Sequence, residues 1–136
     1  ALPSGPAGTW QEVIWRLIEE KANESGVMVH VAMEAVDAGP VLAYAGFPIR
    51  GRTFDSLWRS VEGRSMEELR AEGEDQPLFY RIRREGLRRE RPLLLETLRA
   101  LAEGRIRVHD GEVLDAAGLP QRVMCLNESV ERFLRG

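Results

Sequence analysis

The stretch Gly26-Val-Met-Val-His30-Val-Ala-Met-Glu-Ala-Val-Asp37-Ala-Gly-Pro40-Val-Leu42 decides how this chain is read. Val27 to Met33 is a short apolar run rich in valine, too short for a helix once Gly26 bounds it. It predicts a buried strand, with Val29, Val31 and Met33 facing one side and Met28, His30 and Ala32 the other. Glu34 to Pro40 then reads as a tight loop of mostly small residues, and Val41 to Ile49 as a second strand. Pro48 has no N–H to give to a ladder, which suggests that this strand finishes at an edge.

Chemistry concentrates in the same stretch. Asp37 lies in a loop between two apolar strands. A carboxylate held there is partly desolvated and close to backbone amides, which is how a pKa is tuned for proton transfer. An aspartate in such a loop also caps turns through its own backbone, and the residues alone leave both roles open. His30, on a strand expected to be buried, reads first as a core histidine satisfied by hydrogen bonds. His109 precedes a surface turn, and Trp10, Trp15 and Trp58 read as packing residues. Cys125 has no histidine in its own segment and reads as no nucleophile.

Outward from this stretch the pattern becomes helical. Thr9 and Glu12 have capping-box spacing, and Trp10, Val13, Ile14, Leu17 and Ile18 form one amphipathic face that Gly26 is expected to close. Gly51 to Asp75 predicts two short helices, one on Phe54, Leu57, Trp58 and Val61, the other opened by Ser65 and Glu68. Gln76 to Gly86 and Leu87 to Glu103 predict two more, with Leu94, Leu98 and Leu101 as the inner face of the second. Pro92 fits a first turn or kinks a longer helix. Gly104 ends the helical run, and Asp110-Gly111 is a two-residue hairpin turn between Ile106/Val108 and Val113/Leu114. Asn127 is the expected cap of a last helix carrying Val130, Phe133 and Leu134. The fold class is therefore α/β, a mixed β-sheet with flanking helices, read as one domain over residues 1–136.

Composition narrows the function classes. With 136 residues, 43% of them hydrophobic and 30% charged, the chain has the balance of a soluble globular protein. No apolar run approaches the ~20 residues that span a bilayer, and the opening lacks the basic and apolar pattern of a leader. A net charge of −3 argues against a dedicated nucleic-acid binder. The six arginines between Arg81 and Arg91, interleaved with Glu85 and Glu90, read first as a solvated helix face, with a phosphate-binding patch as the alternative. One cysteine and two histidines offer no metal cluster. The expected compartment is the cytoplasm.

The quoted stretch resembles the signature of the folate-dependent formyltransferase family. In its glycinamide ribonucleotide branch the pattern is Gly-x-x-Val-His, six residues, then Asp-x-Gly-Pro, matched here from Gly26 to Pro40. His30 favours that purine branch over the methionyl-tRNA branch. The flanking helices, Gly104 and the Asp110-Gly111 turn fall in the family's order with weak identity. The resemblance implies the C-terminal half of a formyltransferase-type fold. It also implies that the family's phosphate loop, catalytic asparagine and catalytic histidine precede Ala1. The implied reaction moves a formyl group from 10-formyltetrahydrofolate, as co-substrate, to a small amine-bearing acceptor, glycinamide ribonucleotide, with no metal. Asp37 is the implied catalytic residue and His30 a support from the strand, while Glu34, Ala35, Val36 and Asp37 line the pterin pocket through their backbone. The chain departs from the pattern in two places. Residues 50–76 exceed the usual connection, and Leu87 stands where the purine branch has a ribose-binding glutamate, leaving Arg88 or Glu90 as substitutes. A 10-formyltetrahydrofolate hydrolase and a non-catalytic binding or assembly module are the alternatives. The expected partners are folate, the acceptor, and either a second copy or the N-terminal half, with no nucleic acid and no membrane.

Overall fold

The computed structural model describes residues 2–31 and 40–136. The molecule is mixed α/β: a mixed sheet with flanking helices and a separate hairpin. Strands β1 (Glu24–His30), β2 (Val41–Pro48) and β5 (Met124–Cys125) form a sheet of order β1-β2-β5. The Ile49 N–H donates to the Asn23 carbonyl and the Val31 N–H to the Pro40 carbonyl, each at 2.9 Å. Those bonds join opposite ends of β1 and β2, so the pair runs antiparallel. β5 adds parallel to β2, with Ala43 beside Met124 and Tyr44 beside Cys125. β2 is thus the central strand rather than an edge. Pro48 is tolerated because it closes β2 beyond the two-residue reach of β5.

The chain divides into two compact units. One comprises Ala1–Gly26 with Gly46–Leu87, the other Val27–Ala45 with Arg88–Gly136. In the first, helix α1 (Trp10–Glu19) is capped by Thr9, whose hydroxyl accepts from the Glu12 N–H at 3.2 Å. Its apolar face, Val13, Ile14, Trp15, Leu17 and Ile18, packs with Phe47, Ile49, Trp58, Leu78, Phe79 and Ile82. The Trp15 and Phe79 ring centroids are 4.5 Å apart, and the Arg83 guanidinium lies 4.0 Å from the Trp10 ring centroid. The tryptophans are packing residues, as their spacing suggested. Gly26 does not close α1. The helix ends at Glu19, and Lys21 (φ 54°) turns the chain while the Lys21 and Ala22 N–H groups bond the Ile18 and Leu17 carbonyls. With those carbonyls satisfied, Gly26 is free to sit inside β1, where it is buried. Helices α2 (Asp55–Val61) and α3 (Met66–Ala71) match the two short helices expected, and the Ser65 hydroxyl caps α3 by accepting from the Glu68 N–H at 3.1 Å.

The two helices expected between Gln76 and Glu103 are one, α4 (Pro77–Ala102), with Pro92 inside it. Its buried side chains, Leu78, Ile82, Glu85, Arg89, Leu93, Thr97 and Ala100, recur every three or four residues without a break. Glu85 and Arg89 occupy two of those steps, which is why the sequence reads as two apolar segments. The inner face is also one residue out of phase with expectation. Leu94 and Leu98 are 47% and 52% exposed, whereas Thr97 is buried because its hydroxyl donates to the Leu93 carbonyl at 2.8 Å.

In the second unit, Val27, Ala43, Ala45, Leu93 and Val130 form one apolar cluster, and Leu42, Ala100 and Ile106 another. Helix α5 (Asn127–Arg135) begins at Asn127 itself, with Leu126 as its cap and no side-chain cap bond. Arg89 ties α4 to α5, its Nε and Nη2 both donating to Glu131 Oε1 at 2.9 Å. The hairpin of β3 (Ile106–His109) and β4 (Glu112–Asp115) turns at Asp110 (φ 50°) and Gly111 (φ 79°), the double positive φ that an Asp-Gly turn supplies.

Candidate functional site

The formyltransferase-like signature begins on β1 and resumes at Pro40. Gly26 and Val29 are strand residues, and His30 is the last residue of β1, exposed. His30 is therefore not a core histidine. It stands at the end of the strand, followed by Val31. Val29 and Val31 share the inner side, as their alternation suggested, and both pack against the cluster of Leu42, Ala100 and Ile106. The Val31–Pro40 hydrogen bond joins the residue after His30 to the proline that closes the signature. Glu34, Ala35, Val36 and Asp37, the remaining site residues singled out from sequence, lie outside the described residues. Leu87, at the departure from the ribose-binding pattern, is 47% exposed on α4, and Arg88 and Glu90 beyond it are exposed as well.

A second feature, which sequence reasoning missed, lies wholly within the first unit. A cleft of about 460 Å³ is built from the end of α1 (Ile18, Glu19, Lys21), from Arg50, from α2 and the turn after it, and from Met66 and Leu69 of α3. Trp58 forms part of its wall, with its indole N–H donating to the Ile49 carbonyl at 2.5 Å. The Arg50 guanidinium lies 3.8 Å from the Trp58 ring centroid and donates to the Ala22 and Lys21 carbonyls at 3.3 and 2.8 Å. Arg64, on the same wall, pairs with Glu72 and Glu68. The hydrogen bond to Glu72 holds its pKa above the ordinary guanidinium value, against desolvation, which lowers it, and with the charges of Glu72 and Glu68 adding to the rise. Lys21 and Arg50 are 29 residues apart in the chain, and no local pattern connects them. The one available signal was that Lys21 is the single lysine among 19 basic residues.

Among the described residues, no cluster of three or more His, Cys, Asp or Glu side chains is placed to hold a metal, and no helix is long and apolar enough to cross a membrane. Comparison with known proteins finds no matching family model, no matching curated protein and no matching solved structure.

Proposed function

We propose that this chain supplies the folate side of a formyltransferase that moves a formyl group from 10-formyltetrahydrofolate to the amine of glycinamide ribonucleotide. What supports the reading is the fifteen-residue signature from Gly26 to Pro40, within which the Val31 N–H, next to His30, donates to the Pro40 carbonyl. Reacting groups are commonly carried on segments that rigid paired strands support.

In the proposed reaction the acceptor amine attacks the formyl carbon, and negative charge develops on the formyl oxygen. Donors aimed at that oxygen stabilise it, and in this reading they are the asparagine and histidine that the resemblance implies upstream of Ala1. Asp37 orients that histidine in its charged form and receives the amine proton through water. The bond from the formyl carbon to N10 then breaks, N10 takes a proton, and tetrahydrofolate leaves. His30, exposed at the end of β1, braces the site from the strand.

The test uses protein extended upstream to include the asparagine and histidine, and follows tetrahydrofolate release with and without glycinamide ribonucleotide. Release that depends on the acceptor, with stoichiometric formylated product, is the expected result. Release independent of acceptor would give the hydrolase instead, and no release with a folded protein would give the non-catalytic module.

A further inference from the structure

We infer that the cleft of the first unit binds a small apolar carboxylate, held by Arg50 and Lys21 over a floor of Ile18, Trp58, Val61 and Leu69. This site is independent of the formyl-transfer reading. Its volume of about 460 Å³ falls within the ~300–1,000 Å³ of small-molecule sites.

The charge preference follows from which groups are fixed. Arg50 is half-buried, its plane set by the Trp58 face and by two backbone carbonyls. A guanidinium has five N–H groups, so two bonds leave three donors without a partner among the described residues. An immobilised guanidinium with spare donors matches a carboxylate and has little orientational freedom left to lose. Lys21 stands beside it, its ammonium without an ion pair among the described residues. The third cation, Arg64, is already engaged by Glu68 and Glu72.

Glu19 and Glu62 also line the cleft and would favour a cation. Both are exposed, as is Lys21, and exposed charges are strongly screened by water and salt. A half-buried, fixed guanidinium is screened less, so its sign decides. The rest of the floor accepts no polar group. The Trp58 N–H is committed to Ile49, and Ile18, Val61 and Leu69 are buried aliphatic side chains. The part of the ligand that meets this floor is therefore apolar.

The test is an NMR titration of the isotopically labelled 136-residue chain with 4-phenylbutyrate, 4-phenylbutylamine and 4-phenylbutanol. Shifts are expected at the Ile18, Val61, Met66 and Leu69 methyls and the Trp58 ring. The carboxylate should bind with Kd of about 1 mM, as its dozen heavy atoms allow, and about tenfold more tightly than amine or alcohol. Arg50→Gln should abolish that preference. Because Arg50 also ties the end of α1, Lys21→Met provides a second variant that leaves the Arg50 bonds to backbone in place, and it should weaken the carboxylate by about threefold. Binding of the amine or alcohol as tightly as the carboxylate would overturn the inference. So would the absence of localised shifts up to about 10 mM probe.

Discussion

Lys21 adopts φ 54° to close α1, where glycine is the usual residue. A side chain in that conformation strains the backbone by about 1–2 kcal/mol, partly offset by a cation near the helix C-terminus. Lys21→Gly should therefore stabilise the folded chain by about 0.5–1 kcal/mol, read as a higher urea midpoint, with Lys21→Asn in between. A lower midpoint would mean that Lys21 contributes through its side chain more than it strains its backbone. Residues of this kind show how unevenly a site is legible. Asp37 and His30 lie in a stretch that resembles a family signature, and fixed spacing within fifteen residues makes such a pattern visible in one sequence. Arg50, Trp58 and Lys21 meet only through folding: Arg50 reaches back 28 and 29 residues to its carbonyl partners. His30 was legible as a strand residue but not as an exposed one, because alternation assigns a face and does not fix how far that face is buried.

α4 is the element where propensity and packing pull apart. Gly86 and Pro92 both argue for a break, yet the helix runs from Pro77 to Ala102. Its buried stripe continues through Glu85 and Arg89, and the latter is paired with Glu131. The phase of that stripe can be tested directly. Leu93→Ala should cost about 2–5 kcal/mol, whereas Leu94→Ala and Leu98→Ala should stay within about 0.5 kcal/mol of the parent. Denaturation midpoints giving the reverse order would restore the Leu94/Leu98 inner face. The helix stop was legible from glycine alone. Gly104 (φ 73°) donates to the Leu101 carbonyl at 3.1 Å and Arg105 to the Ala100 carbonyl at 3.0 Å. A Cβ added at Gly104 meets no atom within 4 Å, so Gly104→Ala should cost about 1 kcal/mol through backbone strain alone. Gly104→Asn should recover part of that. An equal loss from both variants would point to something other than φ. β5 was not legible, since two residues have no periodicity to read.

For the whole molecule, the mixed sheet with flanking helices followed from period-two and period-3.6 patterns in the right order, and each unit's apolar cluster is drawn largely from those periodic residues. The parallel β2–β5 pairing did not follow, because it joins segments some 80 residues apart. The proposed chemistry makes a demand at this scale: several groups must converge on one formyl carbon, and a lone carboxylate cannot assemble an oxyanion site. The 136-residue chain by itself should thus show no turnover of 10-formyltetrahydrofolate above buffer, and any turnover lost on mutating Asp37 would contradict that. The most direct test of the account is kcat for Asp37→Asn in protein extended upstream to include the asparagine and histidine that the resemblance implies. Asparagine keeps the size and most hydrogen bonds but removes the charge and the proton acceptor. If Asp37 handles the proton, kcat falls by about 10²–10⁴-fold while the KM for the formyl donor changes little. A folded variant with kcat within about threefold of the parent would instead make Asp37 a turn-forming residue and remove the catalytic reading of the signature.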